Sequence, residues 1–173
     1  THHEQAGAFM ASTVGRLTGK IGVALSTLGP GATNLLTGVA QAQLSGMPLL
    51  VITGQKKIRK NIQGQFQTLD VVNMMKPVTK FSTSIASGNR LPSTVRQAVK
   101  LALEERPGAV HLELPEDIAE EDCIVRPIVP YKVRRPSGDV KAIQQALVEI
   151  EKSKHPLIIL AGKEYGTGSS RDW

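Results

Sequence analysis

Ile21-Gly22-Val23-Ala24-Leu25-Ser26-Thr27-Leu28-Gly29-Pro30-Gly31-Ala32-Thr33-Asn34 begins as a short apolar run and turns into a glycine-rich segment. A helical pattern follows through Leu35, Leu36, Val39, Ala40 and Ala42, until Gly46-Met47-Pro48 breaks it. The reading is strand, tight turn, helix. The next run, Leu49 to Thr53, is continuously apolar. That is the signature of a strand in a parallel sheet covered on both faces.

The same alternation extends in both directions. Upstream, Ala6, Phe9, Met10, Val14 and Leu17 recur at helical spacing over Glu4 to Leu17, with Gly19 placed to cap the end. Downstream, Gly54 to Gln65 is a polar, basic loop. Thr68 to Met75 predicts a short helix, capped by Thr68 or ended by Pro77, and Val78 to Ser82 a short strand. Pro92 suits the first turn of a helix whose apolar stripe is Leu91, Val95, Ala98, Val99, Ala102 and Leu103. Ala109 to Pro115 reads as a fourth strand. Helices alternating with strands predict an α/β fold with a doubly wound, mostly parallel sheet. Ligands in such sheets sit at the carboxyl ends of the strands, where the Gly29-Pro30-Gly31 loop and the Gly54-Gln55 turn fall.

Residues 116–138 change character, with Glu116, Asp117, Glu120, Glu121 and Asp122 followed by prolines and basic residues, and read as an interdomain linker. Asp139 can cap an amphipathic helix bearing Val140, Ile143, Leu147 and Ile150, and His155 to Ala161 reads as the strand of a second α/β unit.

Composition narrows the function classes. The 173 residues are 40% hydrophobic and 21% charged, as in ordinary globular domains. No apolar run approaches the ~18–20 residues of a membrane span, so no membrane partner is expected. Cys123 is the one cysteine, which excludes an internal disulfide and fits a reducing, cytoplasmic compartment. The net charge of +6 gathers in Lys56-Lys57-Ile58-Arg59-Lys60 and around Lys132, Arg134 and Arg135. None of the six aromatics interleaves with that basic run, so a solvated loop or a site for anionic substrates is favoured over nucleic acid. The chain opens on Thr1 and enters helix-like sequence at once, which reads as an internal fragment.

The candidate chemistry is sparse at the level of single motifs. Leu28-Gly29-Pro30-Gly31-Ala32-Thr33-Asn34 leaves backbone N–H groups at a helix N-terminus, suited to an anion or a flat ligand, or else is only a tight turn. Glu4 opens a helix, where the dipole favours a carboxylate, and on the residues alone a capping role is the favoured reading. His2 and His3 are adjacent, point apart on a helix and have no third ligand at standard spacing, so no metal site is expected. No G-x-S-x-G elbow is present.

Taken in order, THHEQAGAFMASTVGRLTGKIGVALSTLGPGATNLLTGVAQAQLSGMPLLVITGQ, FQTLDVVNMMKPVTKF and ERPGAVHLELPEDIAEED resemble the aminopyrimidine-binding (Pyr) domain of thiamine-diphosphate enzymes, above all the acetolactate synthase family. The resemblance runs to about Leu160. It implies an enzyme that decarboxylates pyruvate and joins the two-carbon unit to a second 2-keto acid in branched-chain amino acid biosynthesis, with the cofactor carrying the chemistry. It implies that Glu4 is the catalytic glutamate facing N1′ of the aminopyrimidine, in an apolar setting that includes Ala6 and Phe9. It places Gly29, Pro30 and Gly31 against the cofactor, Phe66 and catalytic Gln67 at the active site, and Pro48, Phe66 and Lys80 along the substrate channel. Pro48 read without it is a strand-start proline and Lys80 a surface charge.

The family also implies Mg2+ held through another domain, FAD in the middle domain of many members, a homodimer or homotetramer, and a regulatory subunit as a further partner. On this reading 1–115 is an incomplete Pyr domain, 116–138 a linker and 139–162 the start of the middle domain, and the fragment is inactive alone. Phe66-Gln67 and Lys80 favour acetolactate synthase over pyruvate oxidase, glyoxylate carboligase or sulfoacetaldehyde acetyltransferase, and Glu4 argues against glyoxylate carboligase, which lacks that glutamate. A non-catalytic assembly module is the alternative from another class. Residues 163–173, GKEYGTGSSRDW with the glycine before them, resemble instead the C-terminal domain motif of aconitase, with Ser169, Ser170 and Arg171 at its substrate-handling positions. A chimeric junction is the expectation there.

Overall fold

The computed structural model describes residues 1–59, 66–129 and 138–157. The chain divides into two compact units, Thr1–Arg134 and Arg135–Trp173.

The first unit runs α1 (Glu4–Thr18), β1 (Gly22–Ser26), α2 (Pro30–Leu44), β2 (Leu49–Gln55), α3 (Val71–Met75), β3 (Phe81–Ser84), α4 (Leu91–Leu103), β4 (Ala109–Pro115) and α5 (Glu116–Ala119). All strand pairs are parallel and the order is β1-β2-β4-β3. The chain passes from β2 to the far edge at β3, then returns to fill the gap with β4. The α/β, parallel-sheet expectation holds.

Both faces of the sheet are covered, which is why β2 and β4 lack alternation. Leu49, Val51 and Ala109 pack with Ala8 of α1, Leu35 and Val39 of α2, and Val71 and Met75 of α3. Leu50, Val110 and Leu112 pack on the other face with Ala98 and Ala102 of α4 and Ile118 of α5. Small residues bring the layers together. A Cβ on Gly38 of α2 would stand 2.5 Å from Ala8 Cβ of α1, and one on Gly22 would stand 1.9 Å from the Ala11 carbonyl oxygen. Gly19 ends α1 at φ 65°, as its position predicts.

Several boundaries move, each for a local reason. The turn after β1 is shorter than expected, because Pro30 and Gly31 already form the first turn of α2. Gly54 and Gln55 are the last residues of β2 rather than a turn, continuing its pairing opposite Leu114 and Pro115. The N-cap of α3 is Asp70, whose Oδ1 accepts from Asn73 N at 3.1 Å, and not Thr68. Lys76-Pro77-Val78 forms a 3₁₀ turn, so β3 starts at Phe81, three residues later than the pattern suggested.

The linker expected from Glu116 starts later. Ile118 is 3% exposed and belongs to the core. The acidic residues around it hold the basic run of the β2 loop. Asp117 accepts from Ile58 N at 3.1 Å and Arg59 N at 2.9 Å, Lys57 pairs with Glu120 at 3.4 Å, and Arg59 pairs with Glu121. Burial works to raise the Asp117 carboxyl, but the amides of Arg59 and Ile58 outweigh it and hold it below the usual range. Two of the five residues in that basic run are thus spent inside the unit. Lys60, Lys132, Arg134 and Arg135 lie outside the described residues or their side chains do.

The second unit shows α6 (Val140–Lys152), capped as expected by Asp139, whose Oδ1 accepts from Lys141 N at 2.9 Å. Of the strand expected over His155 to Ala161, His155, Pro156 and Leu157 are described and form no strand, while 158–161 and the segment with Ser169, Ser170 and Arg171 lie outside the described residues. Among the described residues no helix is long and apolar enough to cross a membrane.

Candidate functional site

The carboxyl end of β1 holds a compact polar group. The helix-starting position of Glu4 brings its carboxylate to the first turns of α2, because Gly38 lets α1 and α2 approach closely. Asn34 Nδ2 donates to Glu4 Oε2 at 2.9 Å. On the other oxygen, a Cβ added to Gly31 would stand 3.4 Å from Glu4 Oε1, and 2.7 Å from both Ser26 Oγ and Thr27 Cγ2. Position 31 therefore requires glycine, because Ser26 and Thr27 at the end of β1 already fill the volume a Cβ would take, with the Glu4 carboxylate alongside. Gly29 caps α2 at φ 60° and ψ −125°, a conformation open to glycine, without a side-chain hydrogen bond. The first turn of α2 carries no acidic residue, so no side-chain charge offsets the positive end of its dipole there.

The expected apolar surround of Glu4 is corrected. Ala6 is exposed and Glu4 itself is half-buried. The Asn34 hydrogen bond, with Glu4's own backbone N–H next, holds its carboxyl below the ordinary range against a smaller opposing effect of burial. Asn34 is the residue that reading the sequence missed. Its signal was its place one helical turn beyond Pro30 and Gly31, on the face that meets α1.

Gln67 joins this group. A Cβ on Gly29 would stand 2.7 Å from Gln67 Cβ and 2.9 Å from its carbonyl oxygen. Gln67 has φ 58°, an unusual value for a non-glycine residue. Phe66 beside it is 74% exposed. Glu4, Gly29, Pro30, Gly31 and Gln67 thus gather at one end of the sheet.

Pro48 and Lys80 do not join them. Both precede strands, at the amino end. The Pro48 carbonyl accepts from Gly22 N at 3.0 Å, and the proline is buried. Lys80 Nζ donates to the carbonyls of Glu104 at 2.9 Å and Arg106 at 2.8 Å, closing the C-terminal end of α4. Burial lowers its pKa while Glu104 and Glu105 oppose that. Lys80 is neither a free surface charge nor, within this chain, a neighbour of Glu4.

A second polar group, unforeseen from the sequence, fills the sheet between β2 and β4. Here the helix following the strand changes face, and an open α/β sheet leaves its crevice at such a point. Thr53, Gln55, His111 and Glu113 are all buried. His111 Nε2 lies 2.9 Å from Thr53 Oγ1, and His111 Nδ1 2.8 Å from Ser82 Oγ. Ser82 spends its hydroxyl hydrogen on the Val72 carbonyl at 2.9 Å. Nδ1 must therefore be the protonated nitrogen, and Nε2 accepts from Thr53. Burial pulls the His111 pKa down to about 4. One layer further out, Gln55 Nε2 donates to Glu113 Oε2 at 3.0 Å and to the Leu69 carbonyl at 3.0 Å. Burial pushes the Glu113 carboxyl up, opposed by hydrogen bonds from Ser84 and Gln55. Among the described residues no group of three or more His, Cys, Asp or Glu is arranged to hold a metal ion.

Comparison with known proteins places this geometry. Residues 1–74 match the model of the thiamine pyrophosphate enzyme N-terminal TPP-binding domain, which takes in Glu4, the glycine loop and Gln67. Residues 124–173 match the aconitase C-terminal domain, a longer stretch than the final dozen residues that suggested it. A probable acetolactate synthase large subunit of Methanocaldococcus jannaschii is 35% identical over 99% of this chain and 30% of its own length. The acetolactate synthase of Arthrospira platensis is 38% identical over 92% of this chain and 29% of its own. That of Bacillus subtilis is 35% identical over 93% and 28%. The chain thus spans about 30% of the length of these relatives. Residues 1–74 are thus similar to the thiamine pyrophosphate enzyme N-terminal TPP-binding domain, and nearly the whole chain is similar to part of acetolactate synthase large subunits.

Proposed function

We propose that this chain is the aminopyrimidine-facing part of a thiamine-diphosphate-dependent acetolactate synthase, acting on pyruvate and a second 2-keto acid. The observation that carries the reading is the Glu4 carboxylate, with Oε2 committed to Asn34 and Oε1 beside the glycine-only position 31. A carboxyl group so placed suits a ring nitrogen of a flat heterocycle: ionised it accepts a hydrogen bond, protonated it donates one. Glycine at 31 lets the α2 backbone pack close beside it. When bound, thiamine diphosphate supplies the nucleophilic carbon and electron sink for decarboxylation.

Glu4 then holds and moves a proton at the ring nitrogen. Gly29, Pro30 and Gly31 shape the wall, and the α2 N-terminus favours negative charge beside it. Gln67, packed on Gly29, is the side chain placed to meet the substrate, with Phe66 next to it. Pro48 and Lys80 line a channel only if a second chain or domain brings the amino end of the sheet to a site. In the same reading Mg2+ and the diphosphate are held by another domain, FAD binds to the middle domain, and a regulatory subunit joins the assembly.

The test uses the protein that carries this chain, assayed for acetolactate from pyruvate with thiamine diphosphate and Mg2+. Glu4→Gln is expected to lower turnover by roughly 10²-fold or more, the loss typical of a positioned acid–base group. Turnover near wild type would remove Glu4 from the mechanism.

The exposed apolar residues of β1 favour a second reading. Val23 is 55% and Leu25 74% exposed on this edge strand, with Met10, Val14 and Leu17 open along α1. A non-catalytic assembly module would use that edge. Size-exclusion chromatography separates the readings: a dimer indifferent to thiamine diphosphate and silent in the assay supports the module, and a monomer indifferent to the cofactor removes it.

A further inference from the structure

We propose that Gln55 and Glu113 form a buried positioning device that seats Gln67 against Gly29, so that the sheet interior sets the geometry of the cofactor-facing wall. Glu113 touches no ligand in this scheme. It is a positioning residue acting through Gln55.

Every polar atom of the Gln55 amide is committed. Oε1 accepts from Lys56 N at 2.9 Å, and the two Nε2 hydrogens go to Leu69 O and Glu113 Oε2, each at 3.0 Å. Turning the amide over would set its oxygen against a carbonyl and a carboxyl oxygen, and its hydrogens against the Lys56 N–H. One orientation is therefore selected. Gln55 thereby grips both ends of the β2–α3 connection, at Lys56 where it leaves and at Leu69 where it returns.

Leu69 is two residues from Gln67, a span of at most ~7 Å, and one residue from Asp70, which caps α3. Gln67 thus has little slack once Leu69 and Asp70 are fixed. Its contact with Gly29 is a close one, made at positive φ on both residues. Such a paired arrangement persists only when the surroundings over-determine it. The Thr53–His111–Ser82–Val72 chain beneath adds a second tie, from the sheet to α3. Glu113 itself is held in register opposite Ser84. Burying a carboxyl group beside it costs stability. A polar cluster of this kind in the most covered part of the sheet needs a compensating role, and holding Leu69 is the one the contacts supply.

This inference rests on the reading that Gly29 and Gln67 face the cofactor, and its test is separable from that reading. In the isotope-labelled 173-residue chain, the nuclear Overhauser cross-peak between Gly29 Hα and Gln67 Hβ reports the seating directly. Gln55→Leu is expected to abolish it while leaving the Ala8–Gly38 cross-peaks between α1 and α2 intact. Glu113→Gln, whose side-chain oxygen still accepts from Gln55, is expected to retain it. The double variant Gln55→Leu with Glu113→Leu removes the buried polar pair together, which keeps the core filled if a single change unfolds the chain. It too is expected to lose the cross-peak at an unchanged fold. Persistence of the cross-peak in Gln55→Leu or in the double variant overturns the proposal. Adding thiamine diphosphate with Mg2+ to the unaltered chain addresses the functional reading alone. A lack of any shift at Glu4 and Gly31 counts against that reading and leaves the cross-peak result standing.

Discussion

Two polar groups stand at the same end of this sheet, each centred on a glutamate, and they are built in opposite ways. At β1, Glu4 is half-buried, its carboxyl held below the ordinary range chiefly by the Asn34 amide, and its Oε1 lies beside Gly31. Between β2 and β4, Glu113 is 5% exposed, its carboxyl is pushed up by burial, and its neighbours Gln55, Thr53 and His111 spend their hydrogen bonds on one another or on the backbone. The first arrangement leaves chemistry available. The second consumes it in holding α3 and the segment before it. The switch point of an α/β sheet usually offers the binding crevice. Here it is filled from within, and the Glu4 group lies one strand away.

The comparison breaks most sharply through His111. Its neutral form is satisfied on both nitrogens, and protonation must force a charge into a fully buried site. The folded pKa is lowered, from 6.5 to about 4, so the unfolded chain binds more protons between those values. Stability contributed by the neutral imidazole is complete above pH 6.5 and is lost as pH falls toward 4, by roughly 3 kcal/mol in all. Urea unfolding across this range should show that slope, and His111→Gln should flatten it. Glu113 has the opposite sign. Its raised carboxyl favours the fold at low pH and costs stability as pH rises through the folded value. A slope unaffected by His111→Gln would mean that the imidazole admits water, and that the inner group is less closed than its contacts say.

The wall of the outer group gives the next effect. Gly29→Ala adds a Cβ 2.9 Å from the Gln67 carbonyl oxygen and forces a side-chain residue to hold φ 60°. The expected loss is roughly 2 kcal/mol from backbone strain of this kind, read as a lowered melting temperature. The Gly29–Gln67 contact should open in the same variant. A fully stable Gly29→Ala protein would show that the loop relaxes freely, and that Gln67 is not fixed against it.

How much of this was legible from residues alone follows from what each feature depends on. Strands β1, β2 and β4 and helices α1, α4 and α6 were readable because periodicity and caps are local: Gly19, Pro92 and Asp139 stand where their backbone chemistry requires. The start of β3 was not, because Pro77 favours a 3₁₀ turn that apolar pattern does not encode. Glu4, Gly31 and Gln67 were named through resemblance, and the fold gathers them. Pro48 and Lys80 were named with them but stand at the other end of the strands; Pro48 was legible as a strand-start residue, whereas Lys80 fell inside the strand expected from Val78 and precedes the one observed from Phe81. The roles of Asn34, Gln55, His111 and Glu113 were not legible because each has a side-chain partner 30 or 58 residues away in sequence. A polar residue inside an apolar strand signals only that a partner exists, not which one.

Asn34 yields the smallest and most specific effect. Its amide is the largest of the influences lowering the Glu4 carboxyl, ahead of Glu4's own backbone N–H and the nearby His3 and N-terminal charges. Glu4 is too open for this to matter much to folding, so Asn34→Ala should leave the urea midpoint nearly unchanged. The titration of Glu4 should nevertheless move up toward the ordinary carboxylate range, followed through the side-chain carboxyl carbon in a labelled chain. The sign is fixed by linkage. A carboxyl depressed in the folded state contributes stability above its unfolded pKa and loses it as pH falls through the folded one, and the variant should shed that small acid-limb dependence. Because the amide binds Oε2 alone, its removal also frees the carboxylate to rotate. In the catalytic assay the same variant should lower turnover more than it raises KM, since orientation at the ring nitrogen matters most in the transition state. An unmoved titration would show that Asn34 points elsewhere in solution, and the contrast between the two glutamates would then rest on burial alone.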